Sequence, residues 1–252
     1  MTNTIDVIFS FDNSQSEIRW DKDCHRRFNN LLIENDRLFN VLEKVSYKAV
    51  IGLAATLTEL IQQKSEKLFT HINTAKEFAP KIESLWVGAI DPHYLKTSEY
   101  GWKYFDENKT LLTPYAANWF VLGLMVYQYI ESSFSIHRYL INLSMLARHL
   151  TTNKKLFDKW LSETLRKTAE VFPCTYDYAD LNLDDVNARY DCSDDASVPR
   201  EFFFDPEFKY SEEATKHVLN TFLRSLDYNN NPWLCTPEEM LAKGFKGTPY
   251  EV

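Results

Sequence analysis

The sequence predicts a mostly α-helical fold: a multi-helix, bundle-like domain with a short N-terminal extended arm and an acidic, loop-rich C-terminal third. Three observations lead there. Apolar residues recur at three- and four-residue spacing over most of the 252 residues, the pattern that buries one face of a helix. Helix starts are written as a capping hydroxyl followed by proline, at Thr113-Pro114 and Thr236-Pro237. The two-residue alternation of a strand is confined to a partial one at Ile5–Phe11.

Taken in order, Ile5–Phe11 reads as a short strand or extended arm ended by the turn Asp12-Asn13-Ser14. Helical spacing begins near Asp21, with Phe28, Leu31, Leu32, Leu38, Phe39 and Leu42 on one face. Tyr47, Val50, Ile51, Ala54, Leu57 and Ile61 continue it as a second helix or an extension of the first. Another stripe runs from Phe69 to Ala89, and Pro80 inside it predicts a kink or a split. Asp91-Pro92 marks a turn. After Pro114, Trp119 to Val126 is apolar on every side, which predicts the centre of the core.

A helix over about 134–150 should turn Ile136, Leu140, Leu143, Ala147 and Leu150 inward. Its other face carries Arg138, Asn142, Met145 and His149, with His137 and Arg148 beside it, and reads as solvated. Leu156 to Phe172 makes one more helix, stopped by Pro173. Ser211 to Leu226 returns to helix. Thr236-Pro237-Glu238-Glu239 is a capping box opening a short helix that Gly244 should end, with Trp233 or Leu234 stapled to Met240 or Leu241. The organisation is therefore an arm over 1–20, a helical core over 21–173, an acidic irregular segment over 174–210 and C-terminal helices over 211–252 packed on the core, one domain overall.

Composition excludes several functions. With 44% apolar and 15% aromatic residues, the chain is too hydrophobic to be disordered. Its six glycines fit neither a G-x-G-x-x-G nor a P-loop phosphate cradle. A net charge of −8 argues against direct nucleic-acid binding, which requires neutralising phosphates. Cys24, Cys174, Cys192 and Cys235 form no C-x-x-C and suggest neither a zinc site nor a disulfide scaffold. The uncharged stretch Thr110–Ile130 is long enough for a bilayer, but Pro114, Asn118, Gln128 and three tyrosines fit a buried helix better. With no basic stretch before Arg19, no secretory leader is read, and a cytoplasmic protein without a membrane partner is expected.

The catalytic search is mostly negative. H-E-x-x-H, Glu-x-x-His and G-x-S-x-G are all absent. Arg19 and His25, five residues between them, resemble the Arg-x(4–6)-His motif of HEPN-type ribonucleases. A chain of this composition contains about one such pair by chance. Glu213 and His217 lie one helical turn apart, the spacing of a shared metal and equally of a surface pair. No cofactor is expected.

The informative feature is charge. Residues 174–208 hold eight Asp, two Glu, two Arg and no Lys, a net −8. Everything else therefore sums to zero. Asp177, Asp180, Asp184, Asp185, Asp191, Asp194 and Asp195 could cradle calcium, but the EF-hand register and its glycine are missing. They also suit a docking surface, with Tyr178 and Tyr190 as aromatic anchors among them. Tyr176, Phe202, Phe203 and Phe204 could equally pin the segment to the helices. The expectation is a non-enzymatic protein that binds and neutralises a basic protein partner, such as a toxin or effector, as a bacterial immunity protein or antitoxin does. Its rivals are a helical hydrolase or nuclease with a dispersed site using His93, His137 or the Asp cluster, and a helical ligand-binding regulator using Tyr94–Tyr129.

Overall fold

The computed structural model describes residues 20–29, 34–68, 75–96, 136–175 and 192–252. Among these the chain is mostly helical. The arm Ile5–Phe11, Arg19, Thr113-Pro114 and the apolar run Trp119–Val126 lie outside the described residues.

Helices α1 (Lys22–Asn29) and α2 (Asp36–Leu42) lead into the long α3 (Tyr47–Leu68). Asn35 caps α2 by accepting from the Leu38 amide at 3.0 Å. The chain then breaks rather than extending into α3. Val45 makes an isolated bridge with Pro173, the Ser46 amide donates to the Phe172 carbonyl, and the Cys174 amide donates to Lys44. These bonds to a distant segment replace the intrahelical ones that a continuous helix would need.

Helix α3 is the central element among the described residues. Every residue from Tyr47 to Thr58 is buried, so three turns are covered on all sides. It packs against α4 (Ala75–Gly88) and α5 (Ile136–His149), and α5 packs on α6 (Lys154–Val171). Helix α4 is not split at Pro80. Proline removes one amide donor, but Lys81 to Gly88 beyond it is almost wholly buried and holds the helix in place.

The polar face expected on α5 is only partly solvated. Arg138 is exposed and Arg148 pairs with Asp158 of α6. Asn142 and His137 are buried. The Asn142 amide group donates to the Phe28 carbonyl of α1 at 2.7 Å, and His149 packs on the rings of Phe28 and Trp20. Helix α1 covers that face, which periodicity within α5 could not reveal.

The acidic segment is irregular where it is described, except for one turn, α7 (Glu201–Phe204). Helix α8 (Glu212–Ser225) follows its Ser211 cap, and α9 (Pro237–Ala242) opens with both bonds of the capping box. At the end of α9 the Phe245 amide reaches the Met240 carbonyl and the Gly244 amide that of Leu241, with Gly244 at φ +87°. This is the left-handed stop that glycine permits. Phe245 folds back onto Tyr94. Met240, Trp233 and Leu234 are buried, whereas Leu241 is 54% exposed and takes no part in a staple.

The tail closes the fold. The Cys235 amide donates to the Tyr94 carbonyl and the Lys96 amide to the Trp233 carbonyl, on either side of an isolated bridge of Leu95 with Leu234. Tyr250 donates to the Cys235 carbonyl at 2.5 Å and stacks on Tyr228. Asn220 of α8 brackets the Val252 backbone, accepting from its amide and donating to its carbonyl.

Candidate functional site

Seven of the nine candidate partner-binding residues, Asp177, Tyr178, Asp180, Asp184, Asp185, Tyr190 and Asp191, lie outside the described residues. The other two do different things. Asp194 is exposed. The Asp195 carboxylate accepts from the Tyr47 amide at 2.8 Å and the Lys48 amide at 3.4 Å. It therefore caps the N-terminus of α3, where free amides and the helix dipole favour an anion. The buried Lys48 reinforces the junction, its Nζ donating to the carbonyls of Asp195 at 2.8 Å and Ser193 at 3.4 Å.

From this anchor the chain runs along α3 as a strap. The Ser197 hydroxyl donates to Ile90 and the Val198 amide to Ala89, at the end of α4. Val198 and Phe203 sit against Gly52, where a Cβ would meet them at 3.2 and 3.1 Å. Phe202 and Phe203 are buried, Phe202 edge-on to Phe172. They pin the segment to the core and are not available as partner anchors.

Beside the strap lies a groove of about 380 Å³ between α3 and α4. Among the described residues its carboxylates are Glu59 and Glu66 of α3 and Glu83 of α4, and its cation is Arg200. Glu59 is fully engaged. It accepts the Trp86 indole N–H at 2.6 Å and two Arg200 bonds at 2.9 and 2.7 Å. Those bonds hold the Arg200 guanidinium firmly protonated, and it lies 4.2 Å from the centre of the Phe204 ring. Glu66 accepts from Gln62 at 2.8 Å, and Glu83 makes a longer contact with Asn231 at 3.4 Å. Burial raises the Glu83 pKa, opposed by the Asn231 bond and helped by the charge of Asp227. Among the described residues neither Glu66 nor Glu83 has a cationic partner. Ile82, Trp86 and the half-buried Phe222 supply apolar wall.

Among the described residues the rival candidates are not brought together, while Arg19 and residues 97–129 lie outside them. His93 is on the surface, paired with its neighbour Asp91 at 2.7 Å. His137 is buried beside Phe39. Glu213 and His217 are exposed. His25 is buried, and Tyr94 belongs to the tail contacts. None of the four cysteines forms a disulfide. Among the described residues no group of three or more His, Cys, Asp or Glu is placed to hold a metal ion, and no helix is long and apolar enough to cross a membrane.

Sequence reasoning missed the groove. Glu59, Gln62, Gln63 and Glu66 do recur at helical spacing, as do Glu83 and Trp86. That gave two polar stripes, but nothing local showed that the stripes face one another. Comparison with known proteins returns no match to a family model, a curated protein or a solved structure.

Proposed function

We propose that the chain is a non-enzymatic cytoplasmic protein that uses an acidic surface to bind and neutralise a basic protein partner, in the manner of an immunity protein or antitoxin. One observation carries the reading: residues 174–208 hold a charge of −8 and the remainder sums to zero. Such a concentration steers a basic partner and discriminates against acidic ones. The anchoring of Asp195 and Val198 supports it, because the part of the segment tied to the core there loses less freedom on binding than a free tail. Neutralisation would be steric and electrostatic, with carboxylates standing where a nuclease holds substrate phosphates.

The test is affinity capture from the native host at about 0.05 M salt, with the captured protein then assayed for inhibition. The reading predicts a basic protein, released as salt rises to about 0.5 M and inhibited at a fixed stoichiometry. An acidic partner, or one whose activity is unchanged when bound, would contradict it.

A further inference from the structure

The groove between α3 and α4 pairs an apolar wall with carboxylates that, among the described residues, outnumber its cations three to one. Its occupied end shows what those groups accept. Arg200 is held there by a two-pronged bond to Glu59, with its guanidinium over an aromatic ring. This is the geometry by which carboxylate and ring together favour arginine over lysine. Glu59 is saturated by Arg200 and Trp86, whereas among the described residues Glu66 and Glu83 are bonded to neutral amides. A second guanidinium would bring two more carboxylates close to charge balance, and its aliphatic stem would cover Ile82 and Phe222.

We propose that this groove is a docking seat for an arginine side chain of a basic protein partner, received by Glu66 and Glu83. The proposal rests on the reading of the chain as a binder of basic protein, but it places a contact outside the acidic segment. A lysine gains less, because its ammonium cannot reproduce the fork that Arg200 shows.

The probe is a fluorescein-labelled peptide, Arg-Leu-Arg-Leu-Arg, with a counterpart in which citrulline replaces each arginine. Citrulline keeps the shape and removes the charge. Binding is read by fluorescence polarisation at about 0.05 M salt. Glu66→Gln with Glu83→Gln should weaken arginine-peptide binding by about tenfold, and the citrulline peptide should not bind. Ala79→Trp keeps every carboxylate and fills the groove, so it should weaken binding similarly. Glu163→Gln with Glu170→Gln, on α6 away from the groove, makes the same change in net charge and should alter binding by less than about twofold. Circular dichroism melts establish that each variant is folded. Equal losses in the α6 and groove pairs would reduce the effect to diffuse attraction and overturn the proposal. Unchanged binding in both groove variants, with loss in Asp184→Asn/Asp185→Asn/Asp194→Asn, would overturn the groove and leave the acidic surface standing. A wild-type chain that ignores the arginine peptide would count against both.

Discussion

Replacing Asp195 with alanine removes a helix cap supplied across 148 positions of sequence. The magnitude follows from what the carboxylate does. It satisfies the first amides of α3, a service worth about 0.5–2 kcal/mol at an N-cap. It also puts a negative charge at the positive end of a 22-residue helix, worth up to about 2 kcal/mol in a partly buried setting. The two contributions overlap, because the same short bond carries both. The expected loss is therefore about 1–3 kcal/mol, large beside a typical total of about 5–15. Asp195→Asn keeps an acceptor and loses the charge, so it should cost less, about 0.3–1 kcal/mol. Asp194→Ala, at an exposed neighbour, should stay within about 0.5 kcal/mol of wild type. Urea unfolding followed by circular dichroism reads the series, and the alanine variant should lower the midpoint by on the order of 0.5–1 M. A wild-type midpoint for Asp195→Ala would refute the cap and return Asp195 to the pool of free docking carboxylates.

Other consequences concern packing and the tail. Gly52→Val should destabilise by about 1–3 kcal/mol through overpacking against Val198 and Phe203; an unchanged urea midpoint would mean the strap is not seated on α3. Thr236→Ala should cost about 1 kcal/mol, a drop in Tm of about 2–4 °C, and deletion of 232–252 should lower Tm further and promote aggregation by uncovering apolar surface. Burial, aided by nearby Asp91, raises the Tyr94 pKa to about 12, and burial raises that of Tyr250 as well. The folded state then holds these protons more tightly than the unfolded chain, so their contribution is full below pH about 10 and is lost as pH rises towards about 12. Tyr94→Phe should flatten the alkaline limb of a stability-versus-pH curve, and an unaltered limb would contradict the assignment.

How much was legible from sequence depends on the range of each signal. The box at Thr236–Glu239 and its stop at Gly244 are complete within ten residues, and both form as their chemistry requires. The α8 and α6 stripes likewise fold where their periodicity places them. Position in the core was harder. Tyr47–Thr58 contains one charged residue, Lys48, and is buried throughout, but its apolar stripe did not distinguish a central helix from a peripheral one. Lys48 itself is buried because two carbonyls of the strap satisfy it, a partnership no window of sequence contains. The same holds for Asp195, whose helix lies about 150 residues away, and for Asn142, covered by α1. The charge of 174–208 was plain from the residues. The division of its carboxylates between capping and display was not, because that depends on which helix end each one meets.

The central claim is that an acidic surface guides a basic partner onto this protein. It is tested most directly by association and dissociation rates with the captured partner, for the wild-type chain and Asp184→Asn/Asp185→Asn/Asp194→Asn, at about 0.05 and 0.5 M salt. Asp195 is left intact so that the fold is preserved. The account predicts slower association of the variant at low salt, little change in dissociation, and convergence of the two proteins at high salt, where screening lengths fall to a few ångströms. Equal association rates at low salt would contradict it.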